Sequence, residues 1–268
     1  MRTSGSRAVR GFLVAAAIGA TTLGALTTSA FAAPAHRNPL AKLTAGQIAT
    51  KAIGDLKSAS SFHFRQSFKA QGQTYTVSLS VNHHGCTGKF TLGDMGGAVF
   101  LEIGSTVYLQ PDDQFWTFAG VPAADLSTVH GMWVEVTGAS GDPGSPDPQI
   151  CAAKNFASEF GLQSKNLIKG KTAKVAGHSA LQIKGKKGLP SYYVTISSTP
   201  EFLTANSRQQ GMYTFSAYGA KVTLTAPPAS EILQDPPTGT GPTVRTAARA
   251  AHPVASVIQA VQALLARG

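Results

Sequence analysis

Few residues in this chain have types and spacing that could do chemistry, and the cysteines come first. Cys86 and Cys151 are the only two. An even count in an oxidising compartment favours a disulfide, and closing so long a loop would stabilise the fold by roughly 4 kcal/mol in the chain-entropy model. His83 and His84 precede Cys86, which raises a metal reading. Adjacent side chains on a strand point to opposite sides, so only one histidine could join Cys86, and no further ligand set is visible. The residues favour the bridge, and no metal is expected.

Catalytic patterns are missing. The sequence holds no Gly-x-Ser-x-Gly elbow, no phosphate-cradling glycine loop and no His-Glu-x-x-His pair. Asp112 and Asp113 lie in a Pro-Asp-Asp-Gln turn, where a structural role is the default. His130 precedes Gly131 and His178 follows Gly177, and neither has an evident nucleophile beside it. The expectation is a protein that is not an enzyme and uses no cofactor.

The start of the chain sets the compartment. Arg2, Arg7 and Arg10 make a positive stretch, 11–26 is apolar without a charge, and Ala30-Phe31-Ala32 supplies small residues for cleavage. Residues 1–32 therefore read as a signal peptide cleaved near Ala32. The protein is expected to be secreted to the cell-envelope side. No cysteine lies near the cleavage point, so no lipid anchor is expected. The net charge of +10 could suggest nucleic acid, but the basic residues are scattered and the chain is exported. Lys184, Lys186 and Lys187 form the one tight cluster, in a turn. An anionic membrane surface or another envelope partner suits such a charge, and no nucleic acid is expected.

The elements that would position these residues follow from periodicity. After a linker (33–42), Thr44 and Gln47 form a capping box ahead of Ile48, Ala52, Ile53 and Leu56 at helical spacing. From Phe62 the period becomes two, and Tyr75, Val77, Leu79 and Val81 alternate with Thr and Ser. The spacing predicts strands over 62–70, 74–82, 86–92, 97–103, 106–110 and 131–136, with Gly104-Ser105 as a two-residue turn of the II′ kind. A Gly/Pro-rich loop at 138–148 leads to a second helix, capped by Asp147 and started by Pro148, with Cys151 in its first turn. Further strands are predicted over 172–175, 178–184, 192–197, 211–218 and 221–225. Residues 234–243 read as a linker. The 244–268 tail has Val254, Ile258, Val261 and Leu265 at helical spacing, open between a docking helix, a membrane-surface helix and a weakly ordered end. About ten antiparallel strands and two helices give an α+β fold, either a sandwich or a curled sheet with helices on its concave side.

Within this order stand Lys57-Ser58-Ala59-Ser60 running into Phe62-His63-Phe64, Ile103-Gly104-Ser105-Thr106-Val107-Tyr108, and Val175 to Ile183 followed by Tyr192 to Ile196. Tyr213 to Tyr218 leading into Val222 to Pro227 completes the set. Together these phrases resemble the LolA-like superfamily of bacterial envelope lipoprotein and lipid carriers, nearest its LppX/LprG-type lipid-carrier branch. The resemblance spans about 43–233. It implies a curved antiparallel half-barrel closed by helices, with an apolar cavity for a lipid or other acyl-chain ligand. Relatives are commonly anchored through an N-terminal cysteine, for which Ala33 offers no equivalent. Others serve as sensory or regulatory modules, so the alternative is an envelope interaction module with a filled core. Alternation makes Val77, Leu79, Leu101, Val134, Leu181, Ile183, Val194, Phe215 and Leu224 the inward candidates for the cavity, with Phe115, Trp116 and Trp133 near its rim. For any single one of these residues packed core is the default.

Overall fold

The computed structural model describes residues 38–70, 72–137, 151–153, 156, 166–185, 191–207 and 211–233. The leader, the 138–150 loop, most of the second helix, the Lys186-Lys187 turn and the linker and tail from 234 onwards lie outside the described residues.

Helix α1 (Ala45–Ser58) begins where the sequence predicts. Gln47 N donates to Thr44 Oγ1 at 3.2 Å and Thr44 N donates to Gln47 Oε1 at 2.8 Å, so the capping box satisfies two otherwise orphaned amides. Ile48, Ala49, Ala52 and Leu56 are fully buried along one stripe. At Ala59 the backbone becomes extended and the chain enters the sheet.

Among the described residues twelve strands form one sheet. They are β1 (Ser61–Ala70), β2 (Gln73–Asn82), β3 (Gly85–Leu92), β4 (Gly97–Ile103), β5 (Thr106–Pro111), β6 (Trp133–Thr137), β7 (Leu167–Val175), β8 (His178–Gly185), β9 (Ser191–Thr195), β10 (Phe202–Ser207), β11 (Gly211–Ser216) and β12 (Ile232–Leu233). Their spatial order is β12-β6-β5-β4-β3-β2-β1-β11-β10-β9-β8-β7, so β11 returns beside β1 and joins two meanders. All pairings are antiparallel except β12 with β6. The sheet is curved and open, an α+β half-barrel with edges at β7 and β12. Lys169 on β7 donates from Nζ to the carbonyls of Leu40 (3.1 Å) and Ala41 (2.8 Å), fastening the segment ahead of α1 to that edge.

Four expectations need correction. His83 and His84 do not lie on a strand; they are the turn between β2 and β3, and His84 N donates to Asn82 Oδ1. The Pro-Asp-Asp-Gln stretch is the start of a short helix, α2 (Asp113–Phe118), rather than only a turn. The chain has more strands than predicted because β10 was unread and β12 is only two residues long. Residues 221–225 are not a strand. Ala217 and Gly219 take positive φ (52° and 73°), which turns the chain out of the ladder. It then crosses the strand ends, where Ser61 Oγ donates to the Ala220 carbonyl and Asn82 Nδ2 to that of Val222.

Candidate functional site

The register decides which predicted cavity residues share a face. Phe64 pairs with Leu79 and Phe215, Val77 with Phe90, Phe90 with Ala98, and Phe100 with Leu109. Across the second meander Leu181 pairs with Val194, and Ile183 with Tyr192. Directly paired residues point to one side of a sheet, so these side chains make one continuous apolar surface. They belong to a single core cluster with the α1 stripe, Phe115, Trp116 and Phe156. Val77, Leu79, Leu181, Ile183, Val194 and Phe215 thus lie together on the concave face, and Val134 packs against it, partly buried.

Five candidates sit elsewhere than expected. Leu101 is one residue from Phe100, so it faces the convex side; it is 4% exposed there and outside the core cluster. Trp133 is displaced in the same way relative to Val134 and is half-buried. Leu224 belongs to the crossing segment rather than to a strand. Phe115 and Trp116 are not at a rim: both belong to α2 itself, are 0% exposed and form its core-facing side.

Asp112 explains that placement. Its Oδ1 accepts from Phe115 N at 2.7 Å, capping α2, and its Oδ2 accepts from Gly97 N at 2.8 Å, fixing the start of β4. The helix comes so close to the β3–β4 connection that a Cβ on Gly96 would lie 2.4 Å from Phe115 N; Gly96 also has φ +88°. Only glycine suits both constraints.

The disulfide is present. Cys86 and Cys151 are bridged with Cα atoms 5.6 Å apart, within the usual range, across a separation of 65 residues. Cys86 pairs on the sheet with Glu102, whose Oε2 accepts from Cys151 N at 3.4 Å. Sequence reasoning missed Glu102, although a lone carboxylate in the strand Gly-Ala-Val-Phe-Leu-Glu-Ile was a visible signal. It is buried on the concave side and joins the chain at Cys151 to both β3 and β4. No group of three or more metal-ligating side chains occurs among the described residues.

Two core donors have no hydrogen-bond partner among the described residues, Trp116 Nε1 and Tyr192 Oη. Burial pushes the Tyr192 hydroxyl well above the ordinary tyrosine range. Tyr218 is raised by burial too, and then by Glu201, although its Oη donates to the Phe202 carbonyl at 3.0 Å.

At the edge of the sheet where α1 ends, a cavity of about 190 Å³ opens. Phe62 and Val81, both core residues, form its floor; Lys57, Asn82 and His83 stand at its mouth, and Ala59, Ala152 and Ala153 complete the wall. A wider hollow of about 380 Å³ lies along the same edge, between the start of β8 and the β9–β10 connection. It is polar, with His178, Thr195, Ser197, Thr199 and Glu201 among its walls. Ser197 Oγ donates to the Thr199 carbonyl, and Thr195 Oγ1 accepts from Glu201 N at 2.9 Å. Burial raises the Glu201 carboxyl, with His178 opposing and Asp55 adding to the shift.

An open antiparallel half-barrel plugged by helices is the class that this topology defines. Among solved structures the chain is similar to LprF from Mycobacterium bovis, at 16% identity over 68% of this chain and 96% of that one, with a TM-score of 0.49. It is also similar to the MucA/MucB complex of Pseudomonas aeruginosa (11% identity, 67% of this chain and 58% of that one, TM-score 0.33). A DUF1329 family protein from Desulfovibrio piger matches at 8% identity over 67% and 93%, with a TM-score of 0.22. These likenesses concern the course of the chain, and the half-barrel itself rests on the strand order and register above. No protein-family model matches the chain, and no curated protein sequence does.

Proposed function

We propose that this protein is a non-enzymatic binder of a lipid or other acyl-chain ligand on the envelope side of a bacterial cell. One observation carries the reading: the cavity at the end of α1 is lined by two residues of the concave core. Phe62 and Val81 belong to both the core cluster and the cavity floor, so an acyl chain entering there meets core side chains. Burying apolar chain against them yields about 0.8 kcal/mol per methylene. The unpartnered donors of Tyr192 and Trp116 add support, since an ester or hydroxyl oxygen of a ligand would satisfy them. The disulfide suits an extracytoplasmic compartment.

A second reading is favoured by a different observation. Phe62, Phe64, Phe156 and Phe215 fill the centre of the concave face with ring contacts of 5.0 to 6.0 Å. A half-barrel filled in this way is an interaction or regulatory module of the envelope without bound lipid. Organic extraction of the purified protein followed by mass spectrometry separates the two. A stoichiometric lipid is the expected result. Its repeated absence, with no uptake of an added fluorescent fatty acid, sinks the carrier and leaves the module.

A further inference from the structure

We infer that the cavity at the end of α1 is a headgroup site for an amphiphile bearing a negative charge, a carboxylate or a phosphate. This rests on the acyl-chain reading above and adds to it which end of the ligand stays at the mouth and what charge it carries. The cavity is chemically two-sided. Its floor of Phe62 and Val81 is buried and apolar, and alanines at 59, 152 and 153 leave room beside it. Its mouth carries Lys57 and His83, both exposed, and Asn82, and none of the described residues lining it is acidic.

Local structure fixes these groups where they are. Lys57 stands in the last turn of α1, where a cation is favoured by the helix dipole. His83 is held at the hairpin turn by Asn82, whose Oδ1 accepts from His84 N and whose Nδ2 donates to the Val222 carbonyl. That leaves the second Asn82 amide hydrogen for a ligand oxygen. Among the described residues, Asp55 on α1 lies 3.5 Å from Lys51 Nζ, and Glu102 on β4 accepts from Cys151 N. An anion at the mouth therefore meets an ammonium, an imidazole and an amide donor, which must outweigh the negative C-terminal end of the α1 dipole, while its tail lies on Phe62 and Val81. The cavity volume of about 190 Å³ holds a headgroup and the first few methylenes, since a water in the liquid occupies roughly 30 Å³.

Charge selectivity tests this on the full-length protein. Dodecanoate and dodecanol are titrated against a bound fluorescent fatty acid, with acetate and inorganic phosphate as tail-free anions. Dodecanoate should compete about fivefold better than dodecanol, the gain expected of one partly exposed ion pair with its hydrogen bonds. The double variant Lys57→Gln/His83→Gln, which changes only exposed side chains, should keep its melting temperature and lose that preference. Ala153→Leu, which fills the wall, should weaken both ligands together. Equal competition by acid and alcohol, or a preference that survives the double variant, overturns the headgroup site while the acyl-chain reading stands. Competition by acetate or phosphate as strong as by dodecanoate also overturns it, because the anion would then bind without a tail. If neither twelve-carbon ligand competes and the fluorescent probe itself does not bind, the acyl-chain reading fails as well.

Discussion

Replacing Tyr192 by phenylalanine is the most direct probe of the concave face. The ring lies 1% exposed on β9, edge-on to Phe202 at 5.3 Å, and its hydroxyl has no partner among the described residues. Phenylalanine preserves the ring contact and removes only the oxygen. A hydroxyl buried without a partner costs about 1–3 kcal/mol, whereas removing a partnered one forfeits about 0.5–1.5 kcal/mol. Tyr192→Phe should therefore be neutral or stabilising, up to about 1 kcal/mol once imperfect repacking is allowed for. For a domain of this size that is a rise in Tm of about 2–4 °C, and a higher urea midpoint at unchanged m. A fall in midpoint worth about 1 kcal/mol would refute the argument by showing the hydroxyl to be bonded. Alkaline titration gives an independent check. Burial raises the Tyr192 pKa, so the folded chain holds its proton longer than the unfolded chain does. The resulting stability is present below the unfolded pKa of about 10 and is lost as pH rises above it. The variant should lose less stability than the wild type above that pH, with Tyr218 still contributing its own slope.

Two further substitutions test the frame and the rim. Asp112→Ala removes both the α2 cap and the Gly97 contact, and should lower stability by about 2–4 kcal/mol in urea unfolding, with Asp112→Asn intermediate; a loss under about 0.5 kcal/mol would show that α2 holds itself. Glu201 has a raised carboxyl pKa through burial, so its contribution is present in acid and is lost as pH rises from the unfolded value of about 4.3 towards the folded one. Glu201→Gln should raise Tm at pH 7 and leave it unchanged near pH 3, and a lower Tm at pH 7 would mean that the His178 attraction outweighs burial.

Most of the sheet was legible because burial on one face imposes a period of two. Val77, Leu79 and Val81 alternate with polar residues, and a strand so marked has one register that keeps them inside. The α1 cap was legible for a different reason: Thr44 and Gln47 act within a single turn, so no tertiary knowledge was needed. Where sequence reasoning failed, the deciding partner was remote. Val-Phe-Leu on β4 is apolar throughout, so alternation could not tell that Phe100 faces the core and Leu101 the convex side; only pairing with Leu109 and Tyr108 does. Residues 221–225 alternate like a strand, yet Val222 accepts from Asn82 at a strand end, and Ala220 just before them accepts from Ser61. The Asp112-Asp113 pair carries both turn and helix-cap signals, and what selects the cap is Gly97, fifteen residues upstream.

The misplacement of Phe115 and Trp116 bears most on function. Set at a rim, they would guard a hollow; as the buried side of α2, they occupy part of the core themselves. The two functional readings therefore differ in how much of the concave face α1, α2 and Phe156 leave for a ligand, and they share every strand. Trp116 is a useful reporter because its indole amide is buried without a partner among the described residues, whereas a buried indole N–H usually has one. On the carrier reading a polar oxygen of the ligand would satisfy that donor, as it would the Tyr192 hydroxyl on the second meander. The end of α1 is where such a ligand would enter, because Phe62 and Val81 are there both core and cavity floor. Lipid-loaded protein should then show Trp116 fluorescence that responds to ligand, while Trp133, on the convex face, stays unchanged. A response confined to Trp133 would place the ligand outside the half-barrel.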